Sequence, residues 1–164
     1  MDELLDLVND HDQIIGQKLR SEIYRKKLVN FRVVNAFLIN NQGKLWIPRR
    51  TKNKRIFPLC LDASMGGHVK AGETYEQALA RELLEELRIN VKVKPYTYVG
   101  SLHPKKHNTS AHMKVYLIQN NNTPNYNTED FIESFWLYPQ EVLDRISSGE
   151  KCKSDLPLII RELF

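Results

Sequence analysis

The stretch GHVKAGETYEQALARELLEELRI, residues 67–89, carries the strongest structural signal in the chain. Its second half predicts a helix, because Thr74 and Gln77 have the spacing of a capping box and apolar residues then recur every three or four positions. We expect this helix to end near residues 88–90. The first half contains two glycines, which let the backbone turn sharply or come close to a ligand. The stretch therefore predicts a tight loop that leads into a capped helix.

One face of the predicted helix carries a cluster of carboxylates. At about 100° per residue, Glu82, Glu85 and Glu86 lie on one side and the apolar residues lie on the other. A solvated acidic face is one explanation. However, Glu85 and Glu86 lie in the last turn, where the helix dipole disfavours each negative charge by about 0.3–1 kcal/mol. Because Mg2+ and Mn2+ bind carboxylate oxygens and phosphates, the pattern predicts a divalent-cation site.

The spacing of the whole stretch resembles the Nudix box, G-x5-E-x7-R-E-U-x-E-E-x-G-U, in which U is a bulky aliphatic residue. Counted from Gly67, every fixed position matches except the last glycine, where the chain has Arg88. A glycine there would end the helix in a left-handed conformation, so a side chain costs on the order of 1 kcal/mol. We expect Asn90 to take over this turn. The difference removes no metal ligand of the family pattern.

The resemblance implies a metal-dependent hydrolase that cleaves a diphosphate linkage in a nucleotide-type or related organic pyrophosphate, with Mg2+ or Mn2+ as cofactor. Glu82 or an acidic residue before the last strand would deprotonate the attacking water. Arg81 would pair with Glu73 and Glu85 and hold the loop on the helix. The candidate catalytic residues are Glu82, Arg81, Glu129 and Asp130, and the candidate metal ligands are Glu82, Glu85, Glu86 and the carbonyl of Gly66.

A basic segment precedes the box, and its side chains are candidates for contacts with substrate phosphates. A solvated basic surface is the alternative explanation for these residues. His68 could instead make a hydrogen bond within its own loop. The candidate substrate-binding residues are Arg49, Arg50, Lys54, Arg55, His68 and Lys70.

The remaining sequence predicts an α/β (α+β) fold, in which a Nudix-like mixed β-sheet is sandwiched between helices. We expect a single domain over residues 1–164, with an N-terminal hairpin extension at about residues 6–24. The pattern of β-branched and aromatic residues predicts strands at 31–39, 44–48, 91–100, 113–119 and 134–138, and helices at 139–146 and 155–164.

The segments outside the box are similar to the isopentenyl-diphosphate isomerase group of the superfamily and its hydrolase relatives. The isomerase reaction requires a cysteine just before the Gly-His pair of the box, where this chain has Gly66. It also requires a histidine at the position of Phe31, and Cys60 lies six positions too early to replace the missing thiol. We therefore favour the hydrolase. An isomerase-like enzyme and a catalytically silent Nudix binding module remain alternatives.

Composition limits the partners of the protein. The 24 basic and 20 acidic side chains give a net charge of +4, which suits a small-molecule diphosphate substrate. Sparse interleaving of basic and aromatic residues argues against a nucleic-acid partner. No apolar run approaches the ~20 residues that cross a bilayer, so we expect no membrane association. The acidic start at Asp2 and Glu3 and the two cysteines predict a cytoplasmic protein, and both a monomer and a homodimer are compatible with the sequence.

Overall fold

The structure is a computed structural model that describes all 164 residues. It confirms the predicted fold class, because a mixed β-sheet is packed between helices. None of the five helices has the length and apolar character needed to cross a membrane. In chain order the elements are β1 Leu4–Val8, β2 Ile14–Leu19, α1 Arg20–Arg25, β3 Arg32–Ile39, β4 Leu45–Arg50, β5 Met65–His68, α2 Tyr75–Leu87, β6 Tyr96–Leu102, α3 Pro104–His107, β7 His112–Gln119, β8 Phe131–Leu137, α4 Pro139–Ser147 and α5 Leu156–Leu163.

The main sheet has the strand order β6-β7-β3-β4-β8, and β5 pairs with β3. Strands β3 and β7 are parallel, and the other pairs in this sheet are antiparallel. The β3–β4 pairing is confined to Ile39 and Leu45 beside their connecting turn. Further along β3, residues Val33–Ala36 pair with β5 instead. Because β3 pairs with β4 near one end and with β5 along Val33–Ala36, β5 and the loop that follows it lie in the middle of the sheet.

The two faces of the sheet bury two separate apolar clusters. Val34, Ala36 and Leu38 of β3 pack in the cluster that contains the apolar stripe of α2. The intervening Phe37 packs in the other cluster, with α4 and α5. This alternation is the period of two expected for a strand covered on both faces. The acidic face of α2 therefore stays outside its core contact.

The N-terminal hairpin is attached to the loop of the box. Leu5 is fully buried in a small third cluster with Ile23 and Phe31. The Asp6 carboxylate accepts a hydrogen bond from the Gly72 N–H at 3.0 Å, and the Leu4 carbonyl accepts one from the Ala71 N–H at 2.8 Å. These contacts bring β1 next to the loop that leads into α2.

Several boundaries differ from the sequence prediction, among them the start of β8, which lies at Phe131 and not at residue 134. The hairpin ends at Leu19, because the next residues form α1, which buries Ile23. Strand β4 extends through Arg50, two residues beyond the predicted end at residue 48. The predicted strand at 91–100 begins only at Tyr96, because the Asn90 carbonyl accepts hydrogen bonds from the N–H groups of the third and fourth residues after it and makes a turn.

Candidate active site

The box forms a strand, a loop and a capped helix. The Thr74 side chain accepts a hydrogen bond from the Gln77 N–H at 3.1 Å, and the Gln77 side chain accepts one from the Thr74 N–H at 2.9 Å, which confirms the capping box. At the other end, Arg88 itself takes the left-handed conformation with φ 56°. The expectation that Asn90 would replace it is wrong, because the helix ends at Leu87 and the Leu83 carbonyl accepts the Arg88 N–H.

Arg81 joins the loop to the helix. Its guanidinium donates two hydrogen bonds of 2.9 Å to the Glu73 carboxylate and one of 3.0 Å to the His68 carbonyl. It also donates to Glu82 Oε1 at 2.6 Å, while Glu85 lies 3.8 Å away. These bonds raise the pKa of Arg81 and lower that of Glu73. The predicted pairing of Arg81 with Glu73 is confirmed, and the contact with Glu85 is a longer ion pair.

Glu82 lies against the backbone of β5. A Cβ atom on Gly67 would be 2.2 Å from the Glu82 carboxylate, so only glycine at this position leaves room for the side chain. The Glu82 side chain is 12% exposed. Burial raises its pKa, and the neighbouring Arg81 opposes this effect. The glycine of the motif therefore allows close approach of a carboxylate, and its φ is not in the left-handed region.

Glu86 has the most unusual environment of the acidic residues. Its Oε2 atom is buried and has no hydrogen-bond partner. Burial raises the pKa of Glu86 well above its ordinary value, and the negative charges of Glu82, Asp62 and Asp130 add to the effect. Because a buried carboxylate without a donor is costly, this oxygen is a position where a cation would be favourable.

The carboxylates do not form a ready-made ligand set. No three His, Cys, Asp or Glu side chains converge closely enough to hold a metal ion. Glu82 is held by Arg81, and the Glu85 side chain is 59% exposed. A cation that binds Glu86 would therefore have to draw the neighbouring carboxylates toward it.

These residues line one cleft with a volume of about 500 Å³. One part of its wall is charged and belongs to β4, β5 and α2. Another part is apolar and includes Leu28, Val29, Phe31, Ile56 and Phe57. The cleft can thus accept a ligand with an anionic part and an organic part. The sequence-predicted site residues in its lining are Arg50, Lys54, Gly66, His68, Arg81, Glu82, Glu85 and Glu86.

Five predicted site residues lie outside the cleft lining, and Asp130 is one of them. Arg49 is bonded to Glu133 and stacks over an aromatic ring of β8, so its charge is used on the other side of β4. Arg55 and Glu129 are exposed. Lys70 lies 3.8 Å from Glu3 at the attachment of the hairpin. Sequence spacing alone could not separate these residues from Arg50 and Lys54.

Asp130 and His68 are engaged by neighbouring side chains. Asp130 accepts a hydrogen bond from Lys54. His68 Nε2 lies 2.8 Å from the Tyr24 hydroxyl, and its Nδ1 lies 3.2 Å from the Glu3 carboxylate. The contact with His68 lowers the pKa of Glu3 to about 2. His68 therefore makes the local bonds that we considered as its alternative role, while its side chain still faces the cleft.

Sequence reasoning missed the charges of Asp62 and Lys153, which act on Glu86. It also missed four other charged residues of the cleft lining, which are Glu3, Arg20, Lys27 and Asp155. Asp62 is 4% exposed and accepts a hydrogen bond from Arg50 at 2.9 Å. Lys153 reaches the cleft from the segment between α4 and α5. Neither residue belongs to a periodic pattern or to the box. Asp62 is a single charge in a mostly apolar stretch, and Lys153 is one of several charged residues in its segment, so neither stands out in the sequence.

Comparison with known proteins places these features in one family. A model of the NUDIX domain matches residues 29–154. The Nudix hydrolase all7351 of Nostoc sp. is 56% identical over 99% of this chain and 96% of its own length. A Nudix hydrolase of Deinococcus radiodurans is 43% identical over 99% of this chain and 95% of its own length.

Solved structures agree with this result. The crystal structure of DR0079 from Deinococcus radiodurans superposes with a TM-score of 0.93 at 43% identity, over 99% of each chain. A MutT protein from Methanosarcina mazei Go1 has a TM-score of 0.57 at 20% identity, over 79% of this chain and 90% of its own. The second likeness concerns the fold alone.

Proposed function

Because this chain belongs to the Nudix family of hydrolases, we propose that it is a divalent-metal-dependent enzyme that cleaves a diphosphate linkage in a nucleotide-type or related organic pyrophosphate. Members of this family generally cleave pyrophosphate bonds. The observation that carries the metal dependence is the buried Oε2 atom of Glu86, which has no hydrogen-bond partner. Glu86 lines the same cleft as Glu82 and Glu85. Isolated negative charge in such a place is compensated by a cation.

The donor chemistry fits Mg2+ or Mn2+, since both cations prefer oxygen ligands. Glu85, Glu86 and the Gly66 carbonyl would hold the ion, and Glu82 would lie beside it in the same cleft. When bound, it would neutralise charge on the transferred phosphate group and make a water molecule more acidic. The role of Arg81 is to fix Glu82 through Oε1, so that the carboxylate keeps one orientation.

We assign the general base to Glu82. Arg81 donates only to Oε1, so Oε2 can accept the proton of a water molecule. The raised pKa of Glu82, caused mainly by burial, moves this carboxylate toward the range in which a base is effective. The other candidates are less suitable, because Asp130 is bonded to Lys54 and Glu129 lies outside the cleft. A base of this kind contributes about 10²- to 10⁴-fold to the rate.

Two basic residues keep donors for phosphate oxygens, because Arg50 uses three of its five N–H groups and Lys54 uses one of its three. Arg50 is held rigidly by Asp62 and by the carbonyls of Ile56 and Phe57, both at 3.0 Å. Lys54 lies beside it in the same cleft. The apolar part of the wall would receive the organic group of the substrate. The substrate classes to compare are nucleoside triphosphates, nucleotide sugars, dinucleoside polyphosphates and isoprenoid diphosphates.

We also propose a cytoplasmic location, which agrees with the free thiols of Cys60 and Cys152.

A substrate panel tests this proposal. One member of each of the four classes would be incubated with the chelated protein, then with Mg2+ or Mn2+ restored, and the products would be identified. We expect cleavage of a diphosphate linkage only when the cation is present. Full activity in excess chelator would refute the metal dependence. Binding without any turnover would instead favour the silent binding module.

Carboxylate variants connect the activity to the site. Glu85→Gln or Glu86→Gln should lower the rate by about 10²-fold or more, because each removes a charged oxygen ligand. Glu162→Gln is the matched control, since it removes an exposed carboxylate of α5 that lies outside the cleft. Equal loss of activity in the control would show that the effect is not specific to the cleft.

A further inference from the structure

The segment before α5 returns to the centre of the fold. The Leu61 N–H donates to the Lys151 carbonyl, and the Lys153 N–H donates to the Leu61 carbonyl, each at 2.9 Å. These two bonds form a parallel bridge between Leu61 and Cys152. Cys152 packs against the apolar cluster of Leu61, and the neighbouring Lys153 lines the cleft. A short extra strand thus fixes the backbone that carries Lys153.

The ammonium group of Lys153 stands beside the carboxylates with its hydrogen-bond donors unused. Its Nζ is 3.7 Å from Asp62 Oδ1, which is an ion-pair distance without a hydrogen bond. Asp62 Oδ1 already accepts the Ala63 N–H at 2.8 Å. An ammonium carries three donors, so Lys153 can bind an oxygen that enters the cleft.

The other cations next to the acidic residues are already bonded. Arg81 donates to Glu73, Glu82 and a carbonyl, Arg50 donates to Asp62 and two carbonyls, and Lys54 donates to Asp130. Lys153 differs from them, because its partner is only a distant charge. Its side chain is 29% exposed, so part of the ammonium still faces the open cleft.

Lys153 also lies next to the proposed cation ligand on β5. A Cβ atom on Gly66 would be 3.6 Å from Nζ, so the ammonium approaches the strand at this residue. A lysine and a divalent cation this close would repel each other strongly unless an anion lay between them. A phosphate oxygen meets this condition, because it can accept from the ammonium and coordinate the cation at the same time.

We propose that Lys153 binds a phosphate oxygen of the diphosphate substrate, on the opposite side of that group from the carboxylates of α2. This assignment rests on the proposed function. The competing role for Lys153 is structural, in which its charge only balances Asp62 and Glu86. The two roles differ in what the side chain does to ligand affinity.

Binding of methylenediphosphonate, a diphosphate analogue that cannot be hydrolysed at its bridging carbon, separates these roles. Calorimetric titration in Mg2+ would compare the wild-type protein with Lys153→Gln and Lys153→Arg. We expect the Kd to rise about tenfold in Lys153→Gln and to stay within about threefold in Lys153→Arg, because arginine keeps the charged donor. Lys151→Gln is the matched control on the same segment, since Lys151 is exposed and outside the cleft, and its Kd should change less than about twofold.

Several results would overturn the assignment. Unchanged affinity in Lys153→Gln, with a lowered melting temperature, would leave only the structural role. An equal loss in Lys151→Gln would mean a general effect of net charge, and no binding by the wild-type protein would remove the phosphate site altogether.

If Lys153→Gln weakens binding but the wild-type protein hydrolyses no diphosphate, Lys153 keeps its assignment and the hydrolase function fails. If the wild-type protein turns over substrate and Lys153→Gln has the same KM and Kd, only the Lys153 assignment fails.

Discussion

Replacing Glu86 with glutamine should stabilise the metal-free protein while removing most of its activity. The amide has nearly the same shape as the carboxylate but carries no charge. In the wild-type protein, Glu86 Oε2 is buried without a hydrogen-bond donor, and three other carboxylates raise the free energy of its charged form. The substitution removes this unfavourable charge from the folded state.

The size of the effect follows from the cost of a buried group without a partner, which is about 1–3 kcal/mol. For a protein of this length, each kcal/mol changes the melting temperature by about 2–4 °C. We therefore expect Glu86→Gln to melt roughly 2–12 °C above the wild-type protein in chelator.

The difference should depend on pH in a defined direction. The pKa of Glu86 is raised in the folded state, so its stabilising contribution is complete below the unfolded-state pKa of about 4.3 and is lost as the pH rises toward the folded-state value. Within this window the wild-type protein loses up to about 1.4 kcal/mol per pH unit relative to the variant. Melting curves of both proteins from pH 5 to pH 9 measure this slope.

Addition of Mg2+ should reverse the order of stability. Ligand at about 100 times its Kd stabilises a protein by about 2.7 kcal/mol, and the wild-type protein alone keeps the full carboxylate set. A Glu86→Gln variant that melts below the wild-type protein in chelator at every pH, with unchanged turnover, would refute the reasoning and assign Glu86 to the structure. Glu162→Gln again serves as the control for removal of an unrelated carboxylate.

Three further substitutions test separate parts of the structure. Gly67→Ala should lower turnover at least about tenfold with a stability loss below about 3 kcal/mol, because its Cβ would displace the Glu82 side chain, which Arg81 holds in one orientation. Gly16→Ala is the control, since a Cβ atom there has no neighbour within 4 Å, and it should change neither turnover nor melting temperature. Arg88→Gly should raise the melting temperature by about 2–4 °C at unchanged turnover, since glycine takes φ 56° without strain. A lower melting temperature would mean that the arginine side chain stabilises the helix end by more than the strain of its left-handed backbone. Cys60→Ser should leave activity within about threefold of the wild-type value, because Cys60 is a buried packing residue. NMR in deuterated water should show that the wild-type protein incorporates no deuterium into the carbon skeleton of isopentenyl diphosphate. Deuterium incorporation that Cys60→Ser abolishes would favour the isomerase.

The helix and loop of the box could be predicted from the sequence because their signals are local. The capping box needs only residues three positions apart, and the apolar stripe of α2 needs only the helical period. The bond between Arg81 and Glu73 also spans a single loop. Such features depend on neighbours in the chain, so their spacing is enough to identify them.

The rest of the cleft could not be predicted, because distant segments form it. Asp62 and Lys153 come together through a bridge between segments that lie 91 positions apart, Leu61 and Cys152, and no periodic pattern marks that contact. In the basic segment, the sequence prediction instead included a residue that lies outside the cleft. Arg49 and Arg50 are adjacent, but successive side chains of a strand point to opposite faces, so only Arg50 reaches the cleft. The sequence prediction ended this strand at residue 48, so it did not include the alternation of Arg49 and Arg50.

Stabilising and functional residues lie at opposite ends of α2. Its first turn has a capping box, and the Arg81 bonds follow at its middle, so this half can hold the helix in place without any ligand. Its last turn combines negative charge at the unfavourable end of the dipole, a buried Glu86 oxygen without a donor, and a left-handed non-glycine residue. Every one of these features costs stability in the metal-free protein, yet the first two become favourable beside a divalent cation. The well-anchored first half of the helix therefore allows its last turn to keep carboxylates in a cleft where they would otherwise be disfavoured.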